Sequence, residues 1–334
     1  MRGDGRRLLR RELLASTWRK TPDPGPAILD RMLDGKRRLL PWISLLVIWV
    51  VWGSTYLAIR IVVHEMPPLA AASLRFAAAG VAMSVVAFFA DRAHGWPSRR
   101  QWLDYAFIGV LLLAVGNGLV MWSERTIPSG IAALIVATVP LWMMLLDGLR
   151  PGGEPWTVRV WVGTLVGLVG VAFVARPEGS VTAGHWPGVV ALQVASFSWT
   201  IGSLYAQSVK KRLPLFTASA VEMLAGSAVL FVESRFFGED FARVSAASSH
   251  AWLALLYLVV FGSLVGFTAF AYCLNELPAT TVGTYAYVNP VVAVALGALI
   301  LREPLSPGLL VGGTLILIAV LLSTLRPRRK ALPQ

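Results

Sequence analysis

Long runs of apolar residues recur along most of this sequence and constrain its fold more than any other feature. Ten runs of about 20 residues can be delimited, and a helix of that length crosses the roughly 30 Å hydrocarbon core of a bilayer. Of the 334 residues, 56% are hydrophobic and only 14% are charged, fewer than the surface of a soluble domain requires. The sequence therefore predicts an all-α integral membrane protein with ten transmembrane helices. These are residues 41–63, 68–90, 103–122, 128–149, 157–175, 186–208, 215–233, 251–274, 279–301 and 307–325.

Basic residues concentrate in alternate loops. With a cytoplasmic N-terminus, 23 Lys and Arg residues lie in cytoplasmic segments and five in external ones, which is the bias known for inner loops of membrane proteins. We therefore expect a multi-pass protein with both termini in the cytoplasm. The net charge of +12 follows this alternation and does not form one basic face, so we expect no nucleic-acid partner.

Both ends of the chain are predicted to be cytoplasmic segments outside the helical core. Residues 1–40 form a basic N-terminal extension with eleven Lys or Arg and five acidic residues. This extension contains no apolar segment of the kind found in cleavable signal peptides. Met32 offers an alternative start of translation, and residues 328–334 form the C-terminal tail.

The same proline spacing occurs twice. "WSERTIPSGIAALIVATVPL" contains Pro128 and Pro140, and "YCLNELPATTVGTYAYVNPV" contains Pro278 and Pro290, each at an offset of 150 residues. Each half of the chain holds five predicted spans, an odd number, so the second half must enter the membrane from the opposite side. The expected fold is therefore a 5+5 inverted repeat, a recurrent construction of secondary transporters.

Three further stretches carry a resemblance to a known family. They are "IWVVWGSTYLAIRIVVHEMPPLAAASLRFAAAG" (48–80), "VPLW" (139–142) and "YVNPVVAVALGALILREPLSPGLLVGGTLIL" (287–317). They resemble the drug/metabolite transporter superfamily, EamA type, with one five-helix repeat at 41–177 and another at 186–327. The resemblance implies a ten-helix permease of the bacterial inner membrane that exports amino acids, metabolites or drug-like compounds. The extension before residue 41 is a departure, because the family core does not need it.

Two charged residues are predicted to lie deep in the membrane. Arg75 lies eight residues after Pro67, and Glu222 lies eight residues after Pro214, so they are equivalent positions of the two halves. A charge at mid-membrane costs about 2.5 to 3.5 kcal/mol and is usually functional. Arg75 either anchors an anionic group or orders helix packing. Glu222 either attracts a cationic group, exchanges a proton or only fixes the fold.

Prolines, aromatic residues and amides supply the remaining cavity candidates. Pro140 and Pro290 are predicted to kink the fourth and ninth spans, because a proline frees the carbonyl four residues before it. An aromatic residue at helical spacing also has the simpler explanation of packing. The residues expected to line a substrate cavity are Trp52, Tyr56, Arg75, Asn117, Trp142, Trp199, Tyr205, Glu222, Tyr285 and Asn289.

The motifs of enzymes and ATP-driven pumps are missing from the sequence. Its four histidines never stand at metal-ligand spacing, its single cysteine is Cys273, and it has no Walker loop. We therefore expect no enzymatic activity, no cofactor and no metal site. Energy for transport is expected from an ion or proton gradient.

The expected function is secondary transport of small metabolites, amino acids or drug-like compounds by alternating access. The alternatives are a channel or lipid flippase on the same scaffold, or a non-transporting membrane scaffold subunit. Expected partners are a small-molecule substrate and membrane lipids, with the protein acting as a monomer or a homodimer.

Overall fold

A computed structural model describes residues 24–92, 95–149, 157–174, 185–210, 212–277, 282 and 285–324. The chain divides into two compact units, residues 1–43 and 44–334. Over the described ranges, both units contain helices and connecting turns and no strand. The α-helices are α1 (Pro24–Glu65), α2 (Pro68–Ala90), α3 (Arg99–Gly109), α4 (Gly118–Ser123), α5 (Ser129–Val136), α6 (Val139–Asp147), α7 (Val158–Val174), α8 (Trp186–Ser208), α9 (Leu215–Phe236), α10 (Ala242–Ser245), α11 (Ser249–Tyr257), α12 (Gly266–Glu276), α13 (Tyr285–Ile300) and α14 (Pro307–Thr324).

Seven helical stretches are long and apolar enough to cross a membrane. They are Leu39–Glu65, Pro68–Ala90, Arg99–Ser123, Ser129–Asp147, Trp186–Ser208, Leu215–Phe236 and Ser249–Leu274. Three further apolar stretches are shorter, Trp161–Val174, Val288–Ile300 and Pro307–Ala319. A stretch of at most 17 residues reaches about 26 Å, less than the roughly 30 Å of a bilayer core. The structure thus bears out an all-helical membrane protein but does not establish the expected count of ten spans.

Apolar side chains cover much of the outside of the second unit. On α2, for example, Val81, Val85, Phe88 and Phe89 are all more than half exposed. Such a surface is unfavourable in water, and it suits the acyl chains of lipids. The exposed apolar faces therefore agree with the membrane assignment.

The most extensive helix pair in the described part of the chain is α2 with α9. Glu239, just after α9, accepts hydrogen bonds from the first N–H groups of α2, those of Leu69 (3.2 Å) and Ala70 (2.7 Å). At the other end, Asp91, just after α2, accepts from the N–H (2.8 Å) and hydroxyl (2.9 Å) of Thr217 in α9. Because each helix ends where its partner begins, α2 and α9 are antiparallel.

Carboxylates from distant parts of the chain cap the helices that start after a proline. The residues preceding α2, α5 and α9 are Pro67, Pro128 and Pro214, which have no side-chain acceptor. The free N–H groups at a helix start need acceptors and attract negative charge. The carboxylate of Glu303 supplies the acceptors and the negative charge for α5. It accepts hydrogen bonds from the N–H groups of Ser129 (2.9 Å) and Gly130 (3.2 Å). These caps tie together segments that lie more than 100 residues apart.

Two helical stretches change their winding in the middle of a span. The π-helical segments Val110–Asn117 and Leu258–Val265 join α3 to α4 and α11 to α12. They occupy matching places in the two halves of the chain, at an offset of 148 residues. Single π turns are rare and often lie at functional sites, because they redirect side chains and free backbone groups.

Substitution Glu239→Ala should lower the free energy of unfolding by about 1–2 kcal/mol, because it leaves two buried N–H groups of α2 without an acceptor. Thermal unfolding of the protein in detergent measures this loss. The control Glu276→Ala removes an exposed carboxylate at the end of α12 and should leave the melting temperature unchanged. Equal melting temperatures for Glu239→Ala and the unmodified protein would contradict the capping role.

Candidate functional site

A cavity of about 70 Å³, which we call the central cavity, lies in the second unit. It is lined by residues of α1, α2, the end of the first π-helical segment, α4, α5, α6, α8, α12 and α13. Seven of the ten residues expected from the sequence border it, namely Trp52, Tyr56, Arg75, Asn117, Trp199, Tyr285 and Asn289. The structure therefore brings together residues that are up to 237 positions apart. That they bind a substrate stays a prediction.

Arg75 is the charged residue of this central cavity. Its side chain is 2% exposed, and its Nε donates to the hydroxyl of Ser263 at 2.9 Å. A longer contact of 3.5 Å joins Nη1 to Oδ1 of Asn117, and the guanidinium lies 4.7 Å from the ring centre of Phe76. Within the described ranges Arg75 has no ion pair with a carboxylate. Its charge is therefore held only by neutral dipoles and a ring.

The two π-helical segments position Arg75. Asn117 ends the first segment, and Ser263 lies in the second. A methyl group added at Gly262 would lie 2.9 Å from Nη2 of Arg75, so a larger residue at this place would force the guanidinium to shift. The main-chain oxygen of Gly262 also accepts from Nε1 of Trp52 at 3.2 Å. One short segment thus holds both the cation and the aromatic wall.

Aromatic rings close the central cavity on one side. Trp52 packs against Trp199, Phe267, Phe270 and Tyr285, with ring centres 5.0 to 5.7 Å apart. Such edge-to-face and tilted contacts stabilise a cluster beyond the burial of its surface. The cluster gives the cavity apolar walls around the single guanidinium.

Glu222 borders a second cavity of about 100 Å³, which also contains Tyr105 and Arg212. Phe267 borders both cavities, so its ring stands between the compartment of Arg75 and that of Glu222. Over the residues that the structure describes, the Glu222 carboxylate makes no hydrogen bond and no ion pair. Arg75 and Glu222 therefore lie in neighbouring compartments and do not pair.

Trp142 and Tyr205 lie outside the central cavity. Trp142 donates its indole N–H to Gln193 at 3.0 Å and borders an apolar crevice between α6, α7 and α8. Tyr205 donates to Asp104 at 2.7 Å. For both residues the structure offers a local packing role, and substrate contact stays a prediction.

The two proline positions differ in their effect on the helix. Near Pro140 the fourth expected span is interrupted, because α5 ends at Val136 and α6 begins at Val139. The helix α13, in contrast, continues through Pro290. Beside it, the Asn289 amide, oriented to satisfy its neighbours, donates to the main-chain oxygens of Trp49 (2.9 Å) and Tyr285 (3.2 Å).

Sequence reasoning missed several residues at the central cavity, among them Thr55, Ser196 and Phe267. Two of them stand three positions from a predicted residue, Thr55 after Trp52 and Ser196 before Trp199, and therefore on the same helix face. Phe267 follows the second π-helical segment by two residues, and neither rule points to it. Helical spacing could have identified the first two.

A second charged residue, Glu124, is buried just after α4, outside the membrane-spanning stretch. Its side chain is 0% exposed, and neither carboxylate oxygen has a hydrogen-bond partner among the residues that the structure describes. Arg60 of α1 reaches only its main-chain oxygen and that of Ile127. Burial raises the pKa of Glu124 well above its usual range, and the nearby Arg60 guanidinium opposes this only in part. No local pattern indicated this burial, because Glu124 stands in a polar connection between two spans.

No group of three or more metal-binding side chains lies together in the described ranges. The site therefore consists of one unpaired guanidinium, neutral amides and hydroxyls, and aromatic walls. Such a set is suited to contact with a solute, and among the described residues it offers no nucleophile with an adjacent base.

A sequence profile of the EamA-like transporter family matches residues 40–176 and again 186–325. The uncharacterized inner membrane transporter YedA of Escherichia coli K12 is 40% identical over 292 residues, which is 86% of this chain and 92% of that protein. A probable terminal-alkyne amino-acid exporter of Streptantibioticus cattleyicolor is 27% identical and covers 84% of this chain and 93% of its own length. One crystal structure superimposes with a TM-score of 0.61 at 20% identity, covering 84% of this chain and 95% of that one. This last likeness concerns the fold alone.

Substitution Glu124→Gln should stabilise the protein at neutral pH. The pKa is higher in the folded state than in the unfolded chain, so the folded state retains a proton that the unfolded chain loses above pH 4.5. Stability of the unmodified protein should therefore fall as pH rises above that value, by up to about 1.4 kcal/mol per pH unit. Melting temperatures between pH 5 and pH 8 test this. Glu276→Gln serves as control, and an unchanged slope in Glu124→Gln would exclude the effect.

Proposed function

The chain belongs to the EamA-like transporter family, and from this premise we propose that it is a secondary exporter of small amphipathic metabolites that carry a carboxylate, such as apolar amino acids. The observation that carries the substrate class is the buried, unpaired guanidinium of Arg75 in an aromatic cavity. The family and the names of the relatives indicate a transporter and not an enzyme.

A substrate carboxylate would supply the counter-ion that Arg75 lacks. The planar guanidinium offers paired N–H donors that match a carboxylate, and such charge-assisted bonds are about twice as strong as neutral ones. Because only Nε is engaged at short distance, the Nη groups remain for the ligand. The rings of Trp52 and Trp199 would then contact the apolar part of the molecule. The amino-acid exporter among the relatives supports the same class of substrate.

Glu222 fits a complementary role in the second cavity. An unpaired carboxylate attracts an ammonium group or accepts a proton, so Glu222 would bind the cationic end of a zwitterion or exchange a proton as part of ion coupling. The ring of Phe267 would separate the Glu222 cavity from the binding site at Arg75. Transport then draws on an ion or proton gradient, without a cofactor, and the protein acts as a monomer or a homodimer among its lipids.

We propose that ten spans form an inverted repeat, with both termini in the cytoplasm of a bacterial cell and the bundle in its inner membrane. The antiparallel helices α2 and α9 support this, since they stand at equivalent positions of the two halves. Trp52 and Trp199 also stand at equivalent positions of the two halves. Their ring centres lie 5.7 Å apart, as expected of residues near a pseudo-two-fold axis. The cavity of about 70 Å³ is small for an amino acid, so its walls must separate during alternating access.

Substitution Arg75→Gln should abolish carboxylate recognition and raise the melting temperature, because it removes an uncompensated buried charge. Transport should fall at least about 10- to 100-fold, the value of one lost charged hydrogen bond. Counterflow in proteoliposomes measures transport of apolar amino acids, each compared with its uncharged amide. The unmodified protein should accept the acids and reject the amides.

Two further variants separate recognition from folding. Gly262→Ala keeps the charge but displaces the guanidinium, so transport should fall while the protein stays folded. Arg243→Gln removes an exposed arginine elsewhere and should transport normally. If Arg75→Gln unfolds the protein, or if acids and amides counterflow equally, Arg75 serves packing and the proposed substrate class is wrong. Flux without saturation would favour a channel.

A further inference from the structure

An open basin of about 570 Å³ lies at the end of the second unit where α1, α4 and α13 end. We call it the terminal basin. It is distinct from the central cavity, because the two share no lining residue. Its walls are Arg60, His64, Arg125, Thr126, Pro128, His185, Leu301, Arg302, Glu303 and Pro304.

The terminal basin carries an excess of positive charge. Three of its residues are arginines and two are histidines, against one carboxylate. That carboxylate, Glu303, is already engaged with the start of α5: one oxygen accepts from the Ser129 N–H, and the other from the Ser129 hydroxyl and the Gly130 N–H. Its hydrogen-bonding capacity is therefore directed at α5, while its single negative charge still counts against the arginines.

The partial charges at the helix ends offset only part of this positive charge. Three helix C-termini reach the basin, and each is equivalent to about half a negative charge, while the starts of α5 and α8 each add about half a positive one. Set against three arginines and Glu303, these partial charges leave a surplus of about one and a half positive charges before the histidines are counted. An anion is the partner that such a surplus attracts.

Arg302 has a backbone conformation that favours glycine. Its φ is 56°, the only positive value of a non-glycine residue in the described part of the chain. The N–H of Glu303 bonds back to the oxygen of Gly297 at 3.1 Å, which closes the end of α13 in the manner usually completed by glycine. A side chain there is unfavourable, and such strain often marks functional positions. The Arg302 side chain makes no hydrogen bond to any described residue.

The other two arginines are anchored and still have free donors. Arg125 donates from Nε to the main-chain oxygen of Trp122 at 3.2 Å, and its guanidinium lies 4.7 Å from the Trp122 ring centre. Its two Nη groups have no acceptor in the part of the chain that the structure describes. Arg60 uses Nη1 on the main-chain oxygens of Glu124 and Ile127. These anchors hold both guanidinium groups in place at the basin.

We propose that the terminal basin is an oxyanion-binding site that takes a phosphate or carboxylate group on the free donors of Arg60, Arg125 and Arg302. Guanidinium groups bind such oxygens in pairs of parallel hydrogen bonds. The oxyanion comes either from a soluble solute or from the headgroup of an anionic lipid. The proposal does not depend on the transported substrate, because binding is measured on the purified protein without transport.

The test uses the full chain in an uncharged detergent at constant pH, with ionic strength held by potassium chloride. Melting temperature is recorded against inorganic phosphate in one arm and against short-chain phosphatidylglycerol in the other. A ligand that binds only the folded protein raises the melting temperature in a saturable way. Arg302→Gly should weaken the response at least about 10-fold, as expected for loss of a charged hydrogen bond.

Arg302→Gly is an informative variant because it removes the guanidinium and should not destabilise the fold. Glycine adopts the positive φ freely, so the melting temperature without ligand should equal or exceed that of the unmodified protein. The control Arg243→Gln removes an exposed arginine from α10. This helix lies just before Ser248, which bonds to Glu65 at the end of α1. The control should respond to the ligands as the unmodified protein does.

Each outcome decides the proposal. Saturable stabilisation by phosphate that Arg302→Gly loses supports a site for soluble oxyanions. Stabilisation by phosphatidylglycerol alone, with the same loss, supports a lipid headgroup as the source. The proposal is overturned if neither ligand raises the melting temperature, or if Arg302→Gly and Arg243→Gln respond equally.

Discussion

The rest of this site depends on the Arg75 guanidinium, which is buried between apolar walls and has no carboxylate partner within the described ranges. A charge at such depth costs about 2.5 to 3.5 kcal/mol, and the protein offsets it with a hydroxyl from one π-helical segment, an amide from the other and a ring. A neutral residue in place of Arg75 would avoid the cost of the buried charge. A transporter that must hold an anionic group at this place has a reason to keep it.

The antiparallel pairing of α2 and α9 provides the frame for this charge. Each helix is capped by a carboxylate that follows its partner, and Ser73 and Ser227 exchange hydrogen bonds with each other's main-chain oxygens at 3.1 and 3.0 Å. A pair fixed at both ends and in its middle resists sliding. Under the proposed alternating access, the movements that open the cavity would therefore occur in the elements around this pair, where the π-helical segments and the break between Val136 and Val139 interrupt the regular winding.

The apolar runs predicted the helices well because the bilayer imposes both their length and their composition. The expected spans 68–90 and 186–208 coincide with α2 and α8. Arg75 and Asn117 were expected at a cavity because polar groups are costly within apolar spans, and both line the central cavity. The side of a helix that a residue faces was harder to infer: Trp142 and Tyr205 contact Gln193 and Asp104. The π-helical winding and the burial of Glu124 depend on tertiary contacts that no local pattern encodes.

The central claim is that one cavity beside Arg75 communicates with each side of the membrane in turn. Ser196→Cys tests it most directly in a Cys273→Ser background, since Ser196 is 1% exposed on the cavity wall and Cys273 is the single native thiol. A membrane-impermeant maleimide is applied to right-side-out and to inside-out vesicles. Alternating access predicts labelling from both sides, slowed in both cases by a transported amino acid. Labelling from one side alone, under every gradient applied, would contradict it.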